Sequence, residues 1–92
     1  MLPDDFDLPP YDGPTVELVI EHDPAIEEAA LLLARRLFAE LDVRIGALTL
    51  VPEPGADFAV WLDGEQVHSS RTSGREPSAQ ALAKLAWARL GA

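Results

Sequence analysis

Two short stretches hold the side-chain types from which a reaction centre could be assembled. Glu21-His22-Asp23 sets an imidazole between two carboxylates, the donor types of a metal site or of an acid/base pair. The chain has only two histidines, so a credible metal site would need His68 to converge with His22 from another strand. His68-Ser69-Ser70 sets a hydroxyl beside a base, the ingredients of an activated nucleophile. Adjacent side chains in a strand point to opposite faces, however, which keeps that pair apart. Glu27 and Glu28 are adjacent on a predicted helix and likewise do not converge. Cysteine is absent, which removes disulfides, thiolate nucleophiles, iron–sulfur clusters and thiolate zinc sites together. No glycine-rich phosphate loop is present, since Gly55 and Gly74 stand alone. The residues thus predict no catalytic centre, metal or cofactor, and Asp23 has a plainer use as a helix cap.

Charge narrows the partners. The net charge is -9, and no Lys or Arg precedes Arg35, while Asp4, Asp5, Asp7, Asp12, Glu17, Glu21 and Asp23 crowd the front. Such a field repels phosphate backbones and anionic lipid, so neither nucleic acid nor membrane is an expected partner. It favours solubility and would complement a basic protein surface. No apolar run approaches the roughly 18 to 20 residues that span a bilayer, and the start lacks the basic and apolar regions of a leader. A cytoplasmic protein is the expectation. With 92 residues, one domain must bury a single shared core.

The elements that must position these residues follow from patterning. Residues 1–14 are rich in Pro and Asp and read as an acidic tail, with Leu2, Phe6, Leu8 and Tyr11 spaced through it as docking anchors; residues 15–92 form the domain. Residues 15–21 alternate as a strand. Asp23 then suits an N-cap and Pro24 the first helical position, opening a helix over 24–42 whose buried stripe is Ile26, Ala30, Leu33, Ala34, Leu37 and Leu41. Residues 45–51 read as a second strand. Asp63-Gly64 joins two more as a tight type I′ hairpin, with Leu62 and Glu65 flanking the turn and Val60 facing Val67. Residues 71–75 read as a polar loop, and a last helix spans 77–90 with Ala79, Leu82, Ala83, Ala86 and Leu90 buried. The order is β-α-β-β-β-α, with the first two strands parallel and the hairpin antiparallel. Two helices can cover one sheet face only, so Val19, Ala59, Trp61, Gln66 and His68 are left as an open patch and candidate partner surface.

This order, together with Val51-Pro52, the F-x-V-x-x-D-G-E run over 58–65, Ser69 after the hairpin and G-x-x-P over 74–77, resembles the selenoprotein W-like (Rdx) family of thioredoxin-fold proteins. The resemblance implies a two-layer thioredoxin-like sandwich with a four-stranded mixed sheet in the order 2-1-3-4. It also places the family's C-x-x-C motif at Glu21-His22-Asp23-Pro24, or one residue later, where this chain has no Cys. Thiol–disulfide exchange needs a thiolate, so the redox activity does not carry over. The family's G-x-F-P becomes Gly74-Arg75-Glu76-Pro77, and His68 stands where an aromatic is common. The expectation is a non-catalytic binding or assembly protein, with a protein partner or as a homodimer that brings two copies of Trp61 and His68 together. The alternatives are a modulator of a redox-active relative and an atypical enzyme or metal site at Glu21-His22-Asp23.

Overall fold

In the computed structural model, which describes residues 11–91, strand β1 (Val16–His22) is the axis of the sheet. Its alternation is strict: Val16, Leu18, Ile20 and His22 are buried, whereas Glu17, Val19 and Glu21 face the other way. A one-turn 3₁₀ segment, Pro24–Ile26, leads into α1 (Glu27–Leu41), with the Asp23 carboxylate accepting from the Ala25 N–H at 2.8 Å. Ala30, Leu33, Ala34, Leu37 and Leu41 are buried as the spacing predicts, but Ile26 is not. The 3₁₀ turn winds at about three residues per turn, which carries Ile26 off the stripe set by the helix that follows.

A second 3₁₀ turn, Asp42–Arg44, delivers the chain to β2 (Ile45–Pro52). Strands β3 (Ala59–Leu62) and β4 (Glu65–Ser69) complete a sheet ordered β2-β1-β3-β4, with β1 and β2 parallel and the other pairs antiparallel. The segment expected to be a polar loop contains a short helix, α2 (Ser70–Ser73). The Ser69 hydroxyl caps it by accepting from the Thr72 N–H, and Gly74, at a φ of 73° that suits glycine, closes it. Helix α3 (Ala79–Leu90) starts two residues later than the proline suggests, because Ser78 is its cap. The described chain thus has three helices where two were expected. Helices α1 and α3 pack on one face of the sheet, over Leu18, Ile20, Phe58, Val60 and Leu62. Of the expected tail, Leu2, Phe6 and Leu8 lie outside the described residues. Tyr11 lies within them, its ring beneath the Arg44 guanidinium and its hydroxyl donating to the Pro14 carbonyl at 2.9 Å.

The hairpin turn matches expectation, with φ of 51° at Asp63 and 84° at Gly64 and with Leu62 opposite Glu65. Its register does not. Trp61 pairs with Gln66 and Val60 with His68, so Val67 is the extra residue of a β-bulge. Opposed residues of an antiparallel pair share a face. His68 is therefore placed with Val60 on the helix-covered side, where its Nε2 lies 3.0 Å from the Arg75 carbonyl oxygen and 3.2 Å from the Ser70 hydroxyl. Ser69, opposite Ala59, is correspondingly placed on the open side, where unbroken alternation from Val67 would have put it with the helices.

Candidate functional site

The stretch that the resemblance aligns with a redox motif sits where β1 hands over to α1, and its side chains diverge. Glu21 lies half-buried on the open face, His22 is buried, and Asp23 turns to the loop between β2 and β3. The His22 ring donates from Nδ1 to the Asp23 carbonyl at 2.9 Å, the only role open to it against an acceptor. Among the described residues no three His, Asp or Glu side chains gather as a ligand set. Asp23 is fully engaged by the backbone: one carboxylate oxygen accepts from Ala25 and the other from the Gly55 N–H, each at 2.8 Å. These two hydrogen bonds hold its carboxyl below the usual carboxylate range. The His22 carbonyl accepts from the Glu53 N–H at 2.9 Å, tying the same loop to β1.

A second carboxylate, which sequence reasoning missed, continues this clasp. Asp57 accepts from the Ser69 hydroxyl at 2.5 Å and from the Arg71 N–H at 3.0 Å, while the Arg71 guanidinium donates to the Gly55 carbonyl. Burial pushes the Asp57 carboxyl up, but the Ser69 hydroxyl, the Arg71 N–H and the Arg71 charge outweigh it, and the group sits below its ordinary value. Asp23, Gly55, Arg71, Asp57 and Ser69 therefore form one continuous polar chain across this end of the sheet. Only the hairpin register, with its bulge, brings Ser69 and Arg71 to Asp57, so local sequence carries no signal for it.

Beside this clasp lies a cleft of about 360 Å³ lined by Ile26, Phe58, Ser70, Gly74, Arg75 and Glu76. Phe58 also floors a neighbouring groove of about 540 Å³ that runs between α1, at Ala29, Leu32 and Arg36, and the start of α3. Both are shallow and carry mixed apolar and charged walls.

The open face of the sheet has a different character. Thr49, Val19, Trp61 and Gln66 stand side by side across the four strands, with Trp61 half-buried at the centre. Ala59, expected on this patch, is fully buried although it takes no part in the helix-side core; its single methyl group is hidden between its partners Glu21 and Ser69. Glu17 and Glu21 flank Val19 on β1. At the hairpin end Arg89 pairs with Glu65 at 2.6 Å and Asp63 at 3.6 Å, neutralising part of the acidic rim there.

Comparison with known proteins agrees with the fold and its motifs. The model of the Rdx family matches residues 25–86, a span that begins directly after Pro24. No curated protein matches the sequence. Among solved structures, a selenoprotein W-related protein from Vibrio cholerae is 18% identical, covers 83% of this chain and 98% of its own, and superposes with a TM-score of 0.75. A protein from Bordetella parapertussis is 21% identical, with 76% and 91% covered and a TM-score of 0.68. These likenesses establish the thioredoxin-like fold. Since the family model covers more than half of the 92 residues, the chain belongs to the Rdx family.

Proposed function

We propose that this Rdx-family chain is a non-catalytic binding protein that meets a protein partner through the open face of its sheet. The observation that carries the reading is Trp61, held half-buried among Val19, Gln66 and two glutamates on a face that neither long helix covers. Tryptophan brings large apolar area and an N–H donor, and it is enriched among residues that dominate binding energy. The flanking Glu17 and Glu21 suit a partner with basic groups around an apolar socket. They also oppose stacking of this face on itself, and with His68 turned to the other side, the histidine-bearing homodimer expected from the sequence has lost one of its contacts. Support for the non-catalytic half comes from the motif end, where a backbone-bonded carboxylate occupies the position and no thiolate exists.

Two outcomes are expected. Purified protein shows no thiol–disulfide exchange in an insulin-reduction assay, and sustained turnover by a contaminant-free preparation would refute the reading. In co-purification from the native host, a partner recovered with wild type is lost with Trp61→Glu. For Trp61→Ala the loss is about 2 kcal/mol or more, roughly thirtyfold in Kd. Identical recovery with all three proteins, each shown folded by circular dichroism, rules out docking through Trp61.

A further inference from the structure

The two edges of the sheet are not defended alike. Strand β4 is five residues long, opens with Glu65, carries the bulge and runs straight into α2, all of which discourage pairing with another strand. Strand β2 is eight residues long and, from Ile45 to Pro52, contains no charged side chain. Its inner side is occupied by β1. Because the Glu53 N–H bonds back to His22 on β1, alternation along the parallel ladder turns the N–H and C=O groups of Leu48 and Leu50 away from β1. Pro52 falls in the same outward series, where its missing N–H deprives β1 of nothing. Among the described residues no hydrogen bond reaches these outward groups of Leu48 and Leu50.

We infer that β2 pairs edge to edge with β2 of a second copy, antiparallel about a two-fold axis, joining two sheets into one. The arrangement is self-complementary. A two-fold lays Leu48 and Leu50 of one copy against the same pair of the other, so each outward N–H meets an outward C=O and both helix layers stay on one side. The ends of the strand also differ in sign, since Arg44 precedes it and Glu53 follows it, and antiparallel pairing brings each toward the other. Net charge does not forbid the contact. The open-face residues of β2 are Ala47, Thr49 and Val51, so apart from Glu53, which meets Arg44 at the strand end, the nearest open-face acids, Glu17 and Glu21, sit one strand back. Three strand spacings then separate them from their counterparts, about 14 Å, which exceeds the screening length of about 8 Å at physiological salt. The inference deepens the binding reading by naming the assembly, a dimer that leaves both Trp61 faces free.

The test is sedimentation over a wide concentration range, with amide hydrogen exchange on the same samples. Wild type should sediment as a dimer in which the Leu48 and Leu50 amides are protected. Thr49→Lys and Ala47→Lys each place a charge on an exposed edge position, and both should sediment as monomers with those amides exchanging fast and circular dichroism unchanged. Trp61→Glu should remain dimeric. A wild-type monomer, or a dimer whose Leu48 and Leu50 amides exchange as in Thr49→Lys, overturns the inference. A dimer broken by Trp61→Glu but not by Thr49→Lys also overturns it, while leaving the binding role of Trp61 standing. Protection of these amides only by an added extended peptide overturns the second copy as occupant.

Discussion

Phe58→Ala is expected to lose about 3–5 kcal/mol of folding stability, measured by urea denaturation. The ring is 7% exposed, directly ahead of β3, and joins the cluster formed by the sheet and both long helices. It also floors the cleft and the groove on the helical side, so its loss would connect the two into a single void. Collapse into that void is opposed, because β3 is held on both sides and the loop over residues 74–76 is fixed through the Arg75 carbonyl to His68. Against a total of roughly 5–15 kcal/mol for a domain, this is a large fraction. A loss below about 1 kcal/mol, at an unchanged denaturant slope, would show that the loop closes over the gap and that the groove has no rigid floor.

Asp23→Asn should lower the melting temperature by several degrees at neutral pH and make the acid limb of the stability curve shallower. The Asp23 carboxylate satisfies two backbone N–H groups on different segments; an amide can accept with one atom only and turns a donor toward the other. The sign of the pH effect follows from the lowered carboxyl of the folded protein. The unfolded chain, with an Asp value of about 3.9, takes up a proton first. The stabilisation is thus fully present above that value and disappears as pH falls through the lower folded value. Asp57 contributes with the same sign, so part of the limb should survive in Asp23→Asn and be reduced further in the double variant with Asp57→Asn. Melting curves between neutral pH and about pH 3 decide this, and an acid limb in Asp23→Asn identical to that of wild type would refute the role given to the clasp.

Features with a local cause were legible in the sequence. Alternation in residues 16–22, the Asp23 cap, the helical stripe from Ala30 to Leu41 and the Asp63-Gly64 turn each follow from neighbours a few positions apart, and each is present. The family was legible too, because its motif residues lie within the hairpin and the loop after it. Features settled by contacts between distant segments were not. Ile26 left the buried stripe through a 3₁₀ turn, and Ala59 disappeared beneath longer neighbours. The Asp57 clasp needed a register that no pattern of alternation announces, since an inserted residue reverses the faces only downstream of itself.

That inserted residue makes the clasp sensitive to the phase of β4 more than to its composition. Were Val67 drawn into the ladder opposite Val60, the phase of everything after it would shift, turning His68 to the open face and swinging Ser69 to the helical side. Asp57 would then lose its hydroxyl partner, α2 its cap and Gly55 the arginine that braces it. Many side chains between Glu65 and Ser69 can change without moving the backbone, but the pairing of His68 with Val60 and of Ser69 with Ala59 must hold. A slip of one residue in that pairing would dismantle a structure whose parts lie at the opposite end of the hairpin.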